Sequence, residues 1–177
     1  MFITQSAEEV KQSLLLNSNT AIVAVRVGAA SLWSVSPDQF GSEATVESEA
    51  RFRPAGFRRT EADESLIFAI EFRFIARTSP EGSKPRDLIK ISCVLEAEYQ
   101  LNPQFKPTDE QIKAFHRGNA VFNCWPYFRE FVQNSAVRMH LPPPPVPFLR
   151  LMPPVKETEK KPTKRLSSPK VPDKIEA

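Results

Sequence analysis

Glycine is scarce in this chain. The 177 residues include 5 glycines, against 17 prolines. Loops that cradle a phosphate need several glycines, because the backbone must approach the ligand closely. The sequence also lacks the GxGxxG, GxxxxGK[ST], GxSxG and HExxH motifs of common enzyme classes. These absences argue against a nucleotide-binding enzyme and, more generally, against catalysis.

Cysteine and histidine are rarer still, at two residues each. Cys93 and Cys124 lie 31 positions apart, and His116 and His140 are not spaced with them as zinc ligands would be. We therefore expect no metal site and no cofactor. Cys124 and His116 are a conceivable nucleophile and base. A buried structural thiol and a solvated histidine are the favoured interpretation, and Cys93 is assigned to the core.

Long apolar runs are also missing. No uninterrupted stretch approaches the ~20 residues that a membrane-spanning helix needs. The first residues include acids and have no basic start followed by an apolar run, so they do not fit a secretory signal. We therefore expect a cytoplasmic protein with reduced thiols and no membrane insertion.

Charge is unevenly distributed along the chain. Residues 155–177 hold seven Lys or Arg and four acids, so residues 1–154 carry 17 charges of each sign. A neutral body has no overall field that would attract a nucleic acid, and none is expected as a partner. With 41% hydrophobic residues, the sequence predicts a single domain over 1–154 and a disordered basic tail, containing proline and serine, over 155–177.

Four segments favour β-strands. The clearest is 66–76, where apolar residues at even positions from Phe68 to Phe74 alternate with Glu71 and Arg73. The other three are a Val- and Ile-rich segment from Thr20, the segment 45–52, and the segment 89–101. Before them, 1–19 is predicted as an N-terminal extension in which 7–19 can form a short helix.

Two helices are predicted after the strands. Thr108 and Gln111 have the spacing of a capping box, which predicts a short helix ending near Arg117. Apolar residues then recur every three or four positions over 120–139, which predicts a longer amphipathic helix. Pro126 either kinks that helix or lies in its first turn, if the helix begins near Asn123.

The order β-β-β-β-α-α predicts an α+β fold. In it, a four-stranded antiparallel sheet is followed by a short and a long helix packed on one face. The prolines of 141–154 fix an extended backbone, so this segment is predicted to be a stiff, Pro-rich strap.

Aromatic residues are abundant, with 13 Phe. One sheet and two helices bury one face of each element, so part of the apolar surface is expected to meet another subunit or a partner. Four apolar residues of the strap either wall a groove for such a partner or cap the end of the sheet. They are Val146, Phe148, Leu149 and Leu151.

Several motifs resemble those of the SecB-type protein-export chaperones. They are Glu98-Tyr99-Gln100 at a strand end with Phe105 downstream, the helix segment Trp125-Pro126-Tyr127-Phe128-Arg129-Glu130, and Pro147, Leu149, Leu151 and Val155 of the strap. The similarity is detailed over 93–155 and is limited to the strand pattern over 20–92.

The resemblance implies a SecB-like fold and an ATP-independent holdase that captures unfolded or nascent polypeptides in an apolar groove. It also implies a homotetramer, built as a dimer of dimers. By this comparison the groove is lined by Val146, Phe148, Leu149 and Leu151. The core or the subunit interface receives Phe128, Phe131 and Val132.

Two departures bear on the partner. The strap has four consecutive prolines, and 155–177 is basic where the SecB-type chaperones have a further helix and an acidic tail. The export motor ATPase is one expected partner, and a dedicated client such as an antitoxin is the other. The alternative is a non-catalytic scaffold or adaptor on the same fold with a permanent protein partner.

Overall fold

The computed structural model describes residues 1–36, 46–60, 64–78 and 84–152. Residues 151 and 152 are described by their backbone alone. The predicted tail over 155–177 lies outside the described residues. The elements, in chain order, are β1 (Phe2–Thr4), α1 (Ala7–Asn17), β2 (Thr20–Ser34), β3 (Val46–Arg59), β4 (Ser65–Thr78), β5 (Arg86–Leu101), α2 (Asp109–Phe115), a π-helical turn (His116–Ala120), α3 (Val121–Arg138) and β6 (Arg150–Met152).

Strands β2 to β5 form an antiparallel sheet in the order β2-β5-β4-β3. The alternation of apolar and polar residues along β4 and β5 sends one side chain in two toward the helices. In one row across the sheet, Phe72 of β4 pairs with Cys93 of β5 and with Phe52 of β3. The predicted α+β architecture, with a four-stranded antiparallel sheet and helices on one face, is confirmed.

Strand β3 is longer than its prediction, which ended at Phe52. It continues to Arg59 through a bulge between Pro54 and Gly56. A proline is tolerated there because β3 is an edge strand, and Gly56 has a φ of 127° that other residues rarely adopt. The bulge therefore accommodates the two residues that disturb the sequence pattern.

The two predicted helices form one continuous helical run. The capping box is present, with Thr108 and Gln111 capping each other's backbone N–H groups. The chain then passes through the π-helical turn directly into α3. The helix is already running when it reaches Pro126, so a start near Asn123 is wrong.

The core lies between α3 and the centre of the sheet. The Phe128 ring stacks on Phe72, with 4.8 Å between ring centroids and 18° between planes. Trp125 packs against both rings, at 5.9 Å from Phe72 and 5.3 Å from Phe128. Near the π-helical turn, Phe115 makes an edge contact with Tyr99 at 4.9 Å. These aromatic contacts fix the height of α3 above the sheet.

Helix α1 is confirmed and is held against the π-helical turn. Its Ser6 and Glu9 form a capping box, and the Ser13 hydroxyl donates to Asn119 at 2.8 Å. Just before the helix, Gln5 Nε2 donates to the Ala114 carbonyl at 2.8 Å. These polar contacts bind the first residues of the chain to its second half.

Helix α3 ends in a Schellman motif. The Leu141 N–H bonds to the Ala136 carbonyl at 2.9 Å, and the His140 N–H to the Val137 carbonyl at 3.0 Å. His140 adopts a φ of 58°, the left-handed conformation that this motif requires. The strap begins here, so its direction is set by the end of the helix.

The strap has a strand that the sequence did not predict. Residues 150–152 form β6, which pairs in parallel with β1 at the opposite end of the sequence, with Leu151 opposite Ile3. Both strands are three residues long, and so short a strand leaves almost no periodic signal.

Candidate peptide-binding surface

The described part of the strap is held on the domain by buried side chains and by two hydrogen bonds. Val146 and Leu149 are 5% and 8% exposed and belong to the core. Trp125 Nε1 donates to the Pro147 carbonyl at 3.2 Å, which ties the strap to α3. The Ser48 hydroxyl donates to the Pro145 carbonyl at 3.2 Å, which ties it to β3. The strap is thus anchored from both the helix and the sheet.

Phe148 points away from this anchored side and is 70% exposed. The Arg129 guanidinium lies over its ring, with Cζ 4.5 Å from the centroid. Leu151 is placed by its backbone pairing with Ile3. Of the predicted groove residues described with side chains, Phe148 is at the surface, and Val146 and Leu149 are buried within the chain. Their common role in a groove stays a prediction.

The helix residues assigned to the core or a subunit interface differ in burial. Phe128 and Val132 are fully buried within the single chain. Phe131 is partly buried and packs at the margin of the core. Phe131 is therefore the member of this set that remains accessible to another subunit.

A second apolar surface runs along β2 and was missed by sequence reasoning. Ile22, Val27 and Leu32 lie on the helix side of the sheet, yet they are 46–49% exposed. Helix α3 covers the centre of the sheet, and a cleft of about 210 Å³ between α3 and β2 is lined by Val27, Tyr127 and Phe131. The signal was the run of Val and Ile on both faces of β2, which is unusual for a solvated edge.

Strand β2 is also an edge of the sheet. It pairs with β5 on one side, and within the described residues no strand pairs with its other side. Its 15 residues leave a long row of backbone donors and acceptors open. An apolar edge of this length is a typical site for pairing with a second chain.

The solvent side of the sheet carries ion pairs. Glu71 accepts hydrogen bonds from Arg53 and Arg73, and these bonds hold the pKa of the Glu71 carboxyl below its ordinary value. Glu96 pairs with Arg26 at 3.1 Å and with Arg58 at 3.3 Å. These carboxylates are neutralised by arginines, which is unsuited to general acid–base catalysis at neutral pH.

The two cysteines are buried and free. Burial raises the pKa of both the Cys93 and the Cys124 thiol to about 12. A thiol with such a pKa is protonated at neutral pH and is not a nucleophile. The predicted assignment of both cysteines to the apolar interior is confirmed.

The prediction of a solvated His116 is wrong. Its ring is buried, and Nε2 lies 2.9 Å from the Ala69 carbonyl oxygen, to which it donates as the Nε2–H tautomer. Burial lowers the pKa of His116, against the opposing effect of that hydrogen bond. The π-helical turn carries this side chain to the sheet, and the local sequence contains no sign of it.

Neither a metal cluster nor a membrane span is found in the part of the chain that the structure describes. No three His, Cys, Asp or Glu side chains there come together as metal ligands would. Among the same residues, no helix combines the length and the hydropathy needed to cross a bilayer.

Comparison with known proteins gives a likeness of fold. No family model and no curated protein sequence matches the chain. A SecB-like chaperone of Mycobacterium tuberculosis, solved in complex with a ChAD peptide from the HigA1 antitoxin, superposes with a TM-score of 0.68 at 17% identity, over 80% of this chain and 99% of that chain. A protein of unknown function from Streptococcus agalactiae gives a TM-score of 0.40 at 12% identity, over 73% of this chain and 97% of that chain. The chain therefore has the fold of a SecB-like chaperone.

Proposed function

We propose that this protein is a holdase chaperone that binds unfolded or nascent polypeptides without catalysis and without ATP. The observation that carries the proposal is an anchored strap that presents a 70% exposed phenylalanine on a SecB-like fold. A large aromatic side chain held in water by a rigid backbone is costly unless it meets another molecule. The shortage of glycine and the absence of a phosphate-binding motif agree with independence from ATP.

Capture of unfolded chains follows from ordinary apolar contacts. Unfolded polypeptides expose aromatic and aliphatic side chains, and their burial against Phe148 and its surroundings is favourable whatever the sequence. In this proposal Phe148 and Leu151 contact the client. Val146 and Leu149 hold the strap at its correct height, because they are buried beneath it.

The second apolar surface is assigned to subunit contacts. Strand β2 offers an open edge, and Ile22, Val27 and Leu32 flank it. Pairing of two copies along β2, with Phe131 at the contact, would produce the dimer, and two dimers the homotetramer. A surface used for assembly would then be separate from the strap used for clients.

A dedicated client is favoured over general export. The M. tuberculosis protein of the same fold was solved with an antitoxin peptide bound, which supports an antitoxin as the kind of client for this chain. The basic segment 155–177 does not favour docking on the export motor ATPase. We assign the domain to 1–154 and propose that the tail is a solvated extension. The free cysteines fit a cytoplasmic location.

The proposal is tested by suppression of aggregation. The full-length protein is mixed with a chemically denatured client, and light scattering is recorded after dilution. We expect suppression by the wild type, and weaker suppression by Phe148→Asp and by Leu151→Asp, because a carboxylate at the contact opposes apolar burial. Leu14→Asp, at a 53% exposed position on α1, is the matched control and should retain full activity.

A scaffold whose surface is permanently occupied would behave differently. The purified protein would then show no suppression and would co-purify with one stoichiometric partner. Suppression that is unchanged in both strap variants would contradict the assignment of the strap as the binding site.

A further inference from the structure

Arg129 lies beside Phe148 with part of its guanidinium unsatisfied. Its Nε is buried and has no hydrogen-bond partner among the described residues. One face of the guanidinium is occupied by the Phe148 ring, at 4.5 Å. Arginine has five N–H donors in a fixed plane, and a buried donor without an acceptor is unfavourable. The Nε edge of the guanidinium is thus packed against the protein, and its Cζ lies against the Phe148 ring.

Several arginines elsewhere in the described chain are paired with carboxylates. Arg53 and Arg73 share Glu71, and Arg26 and Arg58 share Glu96. Within residues 1–36, 46–60, 64–78 and 84–150, neither Arg129 nor Arg150 has an ion pair. Both arginines next to the exposed phenylalanine are thus without a carboxylate partner in the part of the chain that the structure describes, as is Arg138 at the end of α3.

Arg150 lies on the same side of the strap as Phe148. Burial alternates here, with Phe148 and Arg150 exposed and Leu149 between them buried. In an extended chain, residues two positions apart point the same way. Arg129, Phe148 and Arg150 therefore form one outward-facing group, which we call the strap platform.

We propose that the strap platform recognises client segments in which an aspartate or glutamate lies next to a large apolar residue. The client carboxylate is bound by the guanidinium of Arg129, with Arg150 adding positive charge, and the apolar residue packs on the open face of Phe148. A guanidinium binds a carboxylate through two parallel hydrogen bonds, and a charged partner strengthens each bond. The proposal rests on the chaperone function above and gives it a substrate preference.

The charge of the platform decides among client types. A basic segment would place like charges together and is disfavoured. A neutral apolar segment would contact Phe148 and give the Arg129 guanidinium no charged partner. An acidic and apolar segment satisfies both groups at once.

The test uses the full-length protein and two fluorescein-labelled unstructured peptides. One has a Glu beside a Phe, and its twin has Gln in place of that Glu. Binding is measured by fluorescence anisotropy. We expect the wild type to bind the Glu peptide about five- to tenfold more tightly than the Gln peptide, in line with a charge-assisted bond that is partly exposed. The ratio should shrink in high salt.

Two variants locate the effect. Arg129→Gln should bind both peptides equally, with the affinity for the Gln peptide unchanged. Arg138→Gln removes another exposed cation from the same helix and changes the net charge by the same amount. Arg138 lies nine positions after Arg129 on α3, so this variant should keep the full preference for the Glu peptide. Thermal unfolding confirms that each variant is folded.

Each outcome has a distinct meaning. Equal affinity of the wild type for both peptides, together with suppression of client aggregation, overturns the preference and leaves the chaperone function standing. Equal weakening of both peptides by Arg129→Gln also overturns it, since the residue would then only support the strap. Failure to bind either peptide, together with failure to suppress aggregation, overturns the proposed function itself.

Discussion

Replacement of Phe128 by alanine should remove a large part of the protein's stability. The side chain is fully buried, and its ring stacks on Phe72 and contacts Trp125. Phe→Ala changes in cores cost about 3–5 kcal/mol. Because two aromatic neighbours lose their contacts here, we expect a loss of about 4 kcal/mol in the free energy of unfolding.

Urea unfolding at a fixed protein concentration measures this loss. Small proteins have slopes of about 1–3 kcal/mol per molar urea, so the midpoint should fall by about 2 M. Phe122→Ala is the matched control, because it removes the same side chain from the same helix at a position that is 44% exposed. Its effect should stay within about 0.5 kcal/mol.

Phe131→Ala separates the core from a subunit interface. Phe131 is partly buried beside β2, so its replacement should lower stability less than Phe128→Ala does. If Phe131 contacts a second subunit, the variant should also need a higher protein concentration to associate, as followed by sedimentation.

For Phe128→Ala, a loss below about 1.5 kcal/mol in the free energy of unfolding would refute the packing described for α3.

Three further substitutions are expected to change the free energy of unfolding in different ways. His140→Gly should raise the free energy of unfolding by about 0.5–1 kcal/mol, because glycine adopts the φ of 58° without strain and loses part of that gain to its flexibility when unfolded; a destabilised variant in thermal unfolding would contradict the C-terminal motif. Burial lowers the pKa of His116, so the unfolded protein binds a proton at this residue more readily than the folded protein does. The contribution of His116 to the free energy of unfolding is therefore present above pH 6.5 and is lost as the pH falls toward the folded pKa. Urea midpoints at pH 7.5 and 5.5 should therefore differ more for the wild type than for His116→Gln, and equal differences would show that His116 is not responsible. Gly118→Ala should lower the free energy of unfolding more in the wild type than in a Gln5→Ala background, because a Cβ at Gly118 would lie 2.5 Å from Gln5 Oε1. A double-mutant cycle, measured by urea unfolding, that shows no coupling between the two substitutions would contradict this close contact.

Strong local periodicity made the sheet and helices predictable. The alternation along β4 is visible in the sequence because Phe68, Phe72 and Phe74 are all buried on one face of a central strand. The capping box at Thr108 acts within one turn and could be read directly. In such segments the local pattern and the tertiary packing favour the same structure.

Features that depend on distant partners could not be predicted. The burial of His116 requires the carbonyl of Ala69, 47 positions away. Strand β6 depends on β1, and nothing in three residues of either strand identifies the other. The unpaired Nε of Arg129 is equally a product of the completed fold, although Arg129 itself falls within the motif that carried the resemblance.

The candidate site was predicted in part. Proline fixes the backbone wherever it occurs, so the extended course of the strap followed from the sequence. Which strap residues face water did not, because Val146, Phe148 and Leu149 are all apolar. Their separation into buried and exposed residues is decided by Trp125 and Ser48, which hold the carbonyls of the prolines preceding Val146 and Phe148.

The parallel pair of β1 and β6 joins the two ends of the described chain. Among the described residues its strand contacts span the greatest distance in sequence, since they join Phe2 to Arg150, and the entropy of closing so long a loop opposes them. Three residue pairs are also few enough to open while the large sheet stays intact. The first strand thus holds the strap in place, so a change at Ile3 should loosen the strap from a distance, and faster hydrogen exchange at the Arg150 amide, which donates to the Met1 carbonyl, would reveal it.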